Sequence, residues 1–154
     1  GLEAQRALGR AFERREVHKR YEAVVAGDLG AAHAPDAWQL IDLPLAVDWL
    51  NRPRSIVSAE RGKPSTTRWR RMAVQSPLPR TDLATRVELE PITGRTHQLR
   101  VHLQAIGHPI LGDHLYATPA QQAMSPRLML HATALRLEHP VSGVAMSFHS
   151  PCPF

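Results

Sequence analysis

The chain has 154 residues, long enough for one domain with a real core. Its formal charge is +5 with a pI of about 10.3, and the charge is uneven: residues 60–102 hold nine Lys/Arg against four Asp/Glu and residues 1–20 hold six against three, an asymmetry that points to a polyanion such as nucleic acid. The sequence has no apolar run of the about 18 residues that a membrane span requires and no apolar signal-type core near residue 1, and the single cysteine, Cys152, excludes an internal disulfide framework and fits a reducing cytoplasm.

In chain order, Ala4, Leu8 and Phe12 form one apolar stripe of a short amphipathic helix, with arginines around it. Residues 17–25 alternate as a strand that places Val17, Lys19, Tyr21, Ala23 and Val25 on one face, and Gly27-Asp28-Leu29-Gly30 ends it. After a loop over 31–37, residues 38–43 form a short strand stopped by Pro44. Residues 48–54 read as an exposed loop, Ser55–Ser58 as a short strand and Arg61-Gly62-Lys63-Pro64 as a basic turn. Residues 66–74 form a strand on which Arg68 and Arg70 read as a solvated face. Ser76-Pro77-Leu78-Pro79 turns into a half-buried strand over 83–89, with Leu83, Thr85, Val87 and Leu89 on one side.

Leu99, Leu103 and Ile106 recur at helical spacing, with Gly107 as the stop. Arg95 therefore falls at a strand-to-helix junction, where Gly94 permits a tight turn and free backbone N–H groups add partial positive charge. The residue types alone leave two readings of Arg95: a solvated turn residue, or a holder of a carboxylate or phosphate. A loop runs from Gly107 to Asp113, and Thr118-Pro119 opens a short helix to about Met124. An apolar stretch covers 128–132. Residues 135–139 and 144–148 form a hairpin across Pro140-Val141-Ser142-Gly143. The fold class is α+β: a single domain over 1–154 with a largely antiparallel mixed sheet and a few flanking helices.

The nine histidines match no metal-ligand spacing, and no phosphate loop, dinucleotide fingerprint or nucleophile elbow occurs. Tyr21, between Arg20 and Glu22, reads either as a core tyrosine with snorkelling neighbours or as a platform for a base.

Four blocks together resemble the RluA family of RNA pseudouridine synthases. They are Lys19-Arg20-Tyr21, the run from Pro91 to His102 (P-I-T-G-R-T-H-Q-L-R-V-H), the run from Gly107 to Asp113 (G-H-P-I-L-G-D), and Leu130-His131-Ala132. Leu43-Pro44-Leu45, Asp48-Trp49, Asn51-Arg52-Pro53, Gly62-Lys63-Pro64, Tyr116-Ala117 and residues 123–128 are most similar to the subgroup that acts on both ribosomal and transfer RNA. The resemblance implies isomerisation of uridine to pseudouridine in structured RNA, without cofactor or metal, in the cytoplasm, by a protein expected to be monomeric. It implies that Arg95 pairs with the nucleophilic aspartate and that Tyr21 packs on a flipped base. Lys19, Arg20, Lys63, Thr96, His97, Arg100 and Leu130 are the implied contacts to substrate and RNA. The family's aspartate motif, H-R-L-D-x-x-T-S-G, is not among these residues. The resemblance places it upstream with part of the sheet, so the 154 residues read as the N-terminally incomplete core of a catalytic domain. Such a chain is expected to be inactive alone and open to self-association along an uncovered sheet edge.

Overall fold

The computed structural model describes residues 2, 3, 5, 6, 17–29, 34, 36–72, 84–138 and 142–154. Most of the amphipathic helix expected over 4–12, the turn at 76–79, Leu83 and Pro140-Val141 lie outside the described residues. No described helix is long and apolar enough to cross a membrane.

Eight strands and two α-helices can be bounded among the described residues, and residues 2, 3, 5 and 6 are also helical. The strands are β1 (His18–Ala26), β2 (Gln39–Asp42), β3 (Leu45–Val47), β4 (Ser55–Val57), β5 (Thr66–Arg71), β6 (Ala84–Pro91), β7 (Leu130–Glu138) and β8 (Ala145–His149). The helices are α1 (Gln98–Ala105) and α2 (Pro119–Ala123), and a single 3-10 turn covers Trp49–Asn51. Six strands form one sheet in the order β2-β5-β6-β1-β7-β8, and β3 and β4 pair separately as a hairpin. Every described pairing is antiparallel. The described sheet is bounded by β2 and by β8, which is mostly exposed.

The alternation read from the sequence sets the two faces. Ala23 and Val25 of β1, Trp69 of β5, and Val87 and Leu89 of β6 pack with Leu99 and Leu103 of α1 and with Ile110. Val24, Ala26, Ala84 and Leu111 form a smaller cluster. Thr118 accepts from the Gln121 backbone N–H while the Gln121 side chain accepts from the Thr118 N–H, a capping box that fixes the start of α2.

Four expectations change. β6 is buried from Ala84 to Glu90 on both faces because it is central in the sheet. Its polar residues are neutralised: Arg86 bonds Glu22 at 3.0 Å, Arg70 and Arg20 hold Glu88, and Arg68 and Arg20 hold Glu90. Arg68 and Arg70 therefore do not form a plain solvated face. Their guanidinium carbons lie 4.1 and 4.4 Å from the Trp38 ring centroid, and their carboxylate partners are buried. Burial alone would raise the Glu90 pKa, but Arg68 and Arg20 outweigh it and hold it below the usual carboxylate range. Residues 130–138 form one continuous strand rather than two segments, because β1 and β8 pair along its two edges. Residues 45–47, too short for a periodicity, become β3 because β4 supplies its partner.

Candidate active site

The turn between β6 and α1 is built around a buried side chain. Gln98 is 4% exposed. Its Oε1 accepts from the Arg95 backbone N–H at 3.0 Å and from Thr93 Oγ1 at 2.6 Å. Its Nε2 donates to the Thr66 carbonyl at 2.9 Å and to Thr67 Oγ1 at 3.0 Å. All four hydrogen-bonding positions of the amide point at β5 or at the turn, so the turn is fixed to the sheet. The tight backbone geometry sits at His97, the N-cap of α1, with φ of 53°. It does not sit at Gly94, which lies outside the left-handed region and where an added Cβ would meet nothing within 4 Å.

This turn forms one wall of a cleft of about 730 Å³, a size suited to a small ligand. Tyr21, Leu99, Leu128, Leu130 and Ile92 supply apolar surface, while Lys19, Arg95, His97 and Arg100 supply polar groups. Tyr21 is aimed by β1, whose pairing with β7 shifts register between Arg20 and Tyr21, an irregularity of the kind that re-aims a side chain. Burial raises the pKa of the Tyr21 phenol, so the hydroxyl keeps its proton at neutral pH.

Arg95 is half-buried at the mouth, and its Nη2 and Nε donate to the Pro64 carbonyl at 3.1 and 3.4 Å. Among the described residues no carboxylate pairs with Arg95, and none lines the cleft. Asp113 is fully buried and held bidentately by Arg100 at 2.9 and 2.7 Å while it accepts from the N–H groups of Leu115 and Tyr116. Burial would raise its pKa, but the Arg100 hydrogen bonds and the two backbone donors dominate and lower it.

The structure thus gathers Tyr21, Arg95, Lys19, His97, Arg100 and Leu130 around one cleft and separates the other three expected residues from it. Arg20 points to the opposite sheet face, 2.8 Å from Glu88. Lys63 and Thr96 line an adjoining hollow. Arg100 borders the cleft with its charge already engaged by Asp113. Sequence reading missed Gln98 as the organiser of the turn and gave Tyr116 and Ser55 no role at the site. The Tyr116 hydroxyl accepts from the Ser55 N–H at 2.9 Å, and its oxygen lies 2.8 Å from His97 Nδ1. With the phenol proton directed at His97, Nδ1 is an acceptor. Burial, reinforced by Arg100 and opposed by Asp113, lowers the His97 pKa. Other histidines are similarly placed: His102 contacts Thr67 Oγ1 and the Leu43 carbonyl, His108 the Ala26 carbonyl, and His131 Ser150.

A sequence profile described as RNA pseudouridylate synthase matches residues 2–105. The chain is 48% identical over 151 residues to the dual-specificity RNA pseudouridine synthase RluA of Escherichia coli strain K12, covering 98% of this chain and 64% of that protein. With the Haemophilus influenzae protein of the same name it shares 43% identity over the same shares of the two chains. The chain therefore spans 64% of the length of the curated relatives it matches. The solved structure of human RNA Pseudouridylate Synthase Domain Containing 1 superposes with a TM-score of 0.74 at 32% identity, over 96% of this chain and 60% of that one. Human RNA Pseudouridylate Synthase Domain Containing 4, 23% identical with a TM-score of 0.68 over 96% of this chain and 62% of that one, shares the fold.

Proposed function

The chain belongs to the RNA pseudouridylate synthase family, and from that premise we propose that it forms the base-binding part of an enzyme that converts uridine to pseudouridine in structured ribosomal RNA, transfer RNA or both in the cytoplasm. The flipped uracil enters the cleft against Tyr21 and Leu130. An aspartate from sequence outside these 154 residues attacks the nucleoside, Arg95 keeps that carboxylate ionised and aimed, and the N1–C1′ bond breaks. The base turns over, C5 bonds to C1′ as the bond to the aspartate breaks and frees the carboxylate, the C5 proton leaves and N1 gains a proton. The reaction exchanges one bond for another within the nucleoside and needs no cofactor.

The observation that carries this reading is Arg95. A fixed guanidinium lining a cleft that joins apolar walls to cationic groups, with only a peptide carbonyl as its described partner, supports a carboxylate in that position. The test uses a polypeptide that carries the family's aspartate motif ahead of these residues, incubated with transcribed ribosomal and transfer RNA. Pseudouridine is expected in the RNA, and Arg95→Ala is expected to lower turnover by at least about 10²-fold while RNA binding falls modestly. RNA binding without any pseudouridine would replace the catalytic reading with a non-catalytic RNA-binding module. Near-normal turnover in Arg95→Ala would remove Arg95 from the site.

A further inference from the structure

The wall that carries Arg95 has a second side. A hollow of about 420 Å³ adjoins the cleft and is lined by Val47, Trp49, Arg61 and Lys63, among others, while Gly94 and Arg95 line both spaces. Among the described residues no carboxylate lines the hollow. Trp49 is 65% exposed and its neighbour Leu50 96%. Leaving that much apolar surface in water is costly unless something covers it.

The indole is presented on a built platform. The Asp48 N–H donates to the Arg54 carbonyl at 2.8 Å, and Asn51 Nδ2 donates to Asp48 Oδ2 at 2.9 Å, closing the loop of the β3–β4 hairpin. The Arg52 guanidinium stands 5.0 Å from the Trp49 ring centroid. The hairpin is strapped to the Arg95 turn, because Ser55 Oγ donates to the Thr96 carbonyl at 2.8 Å. Trp49 and Arg95 are thus held on connected elements.

We propose that this hollow receives the nucleotide next to the target uridine in the same RNA strand, with its base against Trp49 and its phosphates against Arg61 and Lys63. The inference rests on the reading of the first cleft as the uridine site. Three features favour RNA as the occupant. An exposed indole beside cations is the combination that binds an unpaired base and its backbone. The lining is cationic without carboxylates, which suits a polyanion. The two hollows share one wall, as two nucleotides joined by one phosphodiester require. The strand crosses at Gly94, where no side chain stands in the way.

The experiment uses the polypeptide that carries the aspartate motif, with two probes: a transcribed hairpin RNA with a uridine-containing loop, and a blunt RNA duplex of equal length. Trp49→Ala is expected to weaken hairpin binding roughly ten- to hundredfold and to leave duplex binding unchanged. Trp49→Phe is expected to restore most of the hairpin affinity, and matched thermal melts establish that both variants fold. An unchanged hairpin affinity in Trp49→Ala, or an equal loss on the duplex, overturns the proposal. Pseudouridine formation by the parent protein is read in parallel. If the parent modifies RNA and Trp49→Ala binds normally, the neighbour site fails and the catalytic reading stands. If the parent never modifies RNA and Trp49→Ala loses hairpin binding alone, the catalytic reading fails and nucleotide binding at Trp49 is supported.

Discussion

The backbone N–H of Arg95 donates to Oε1 of Gln98 at 3.0 Å, so the residue that faces the cleft is positioned by one that does not. Gln98 is buried and fully bonded. Replacing it with leucine strands the Arg95 N–H with no protein partner and removes one donor to the Thr66 carbonyl, which keeps the Ile92 N–H at 2.9 Å. An orphaned buried donor costs about 1–3 kcal/mol, so Gln98→Leu is expected to lower stability by roughly 1–3 kcal/mol. The urea midpoint measures this. An unchanged midpoint would mean that the network does not hold the turn.

Tyr21 presents a ring and a hydroxyl, and the two are separable. Tyr21→Phe keeps the packing surface beside Leu130 and removes the only atom able to handle a proton. With the aspartate motif present, kcat is expected to fall on the order of 10²-fold with little change in KM, the range of a lost general acid or base. Single-turnover kinetics on transcribed RNA give the answer. Equal rates would leave Tyr21 as a stacking surface alone.

The sequence carried the local parts of this site because their signals are local. The strand period over residues 17–25 and the helical spacing of Leu99, Leu103 and Ile106 placed Tyr21 and Arg95 on the correct elements. The acceptors that tie Gln98 to the sheet lie on β5, 31 and 32 residues away in the chain, and Tyr116 meets Ser55 across 61 residues. No period reveals such contacts. Charge was legible as an amount but not as an allocation. Of the arginines between residues 60 and 102, Arg68, Arg70, Arg71, Arg86 and Arg100 are in ion pairs with carboxylates, whereas Arg61 and Arg95 face the two hollows. Gly94 was read as a conformational glycine, and the positive φ belongs to His97, three residues on.

His97 and His102 make stability depend on pH with a definite sign. Burial is the leading cause that lowers both pKa values below the ordinary 6.5. The unfolded chain therefore takes up protons that the folded chain refuses. Stability from these groups is full above about 6.5 and falls as pH drops from there through the folded pKa values. Nuclear magnetic resonance of the imidazole protons should show both rings still largely neutral at pH 6.5. Thermal melts should show Tm falling as the solution is acidified below that point. His102→Asn should flatten part of this slope. A slope identical to the parent's would remove His102 from the linkage.

Gly94 offers a test of the strand path that leaves the protein's own contacts intact. A Cβ there meets nothing within 4 Å, and the backbone is not in the left-handed region. Gly94→Leu therefore seats its Cβ without a clash within the described structure and removes unfolded-state entropy, so the melting temperature should hold or rise slightly. The leucine would stand on the wall between the two hollows. If an RNA strand crosses that wall, the side chain displaces it, and misplacement of even about 1 Å can cost 10²-fold in rate. The expected result with the aspartate motif present is a loss of roughly tenfold or more in kcat/KM on hairpin RNA, with a smaller loss for Gly94→Ala. Gly94 lines the uridine cleft too, so free uridine monophosphate, which has no neighbour to carry across, measures any loss there, and the loss on hairpin RNA is expected to exceed it. Wild-type turnover of hairpin RNA by a folded Gly94→Leu protein would show that the strand takes another path. The pairing of Trp49 with the neighbouring base would then fall with it, while the assignment of Arg95 and Tyr21 to the uridine cleft would be untouched.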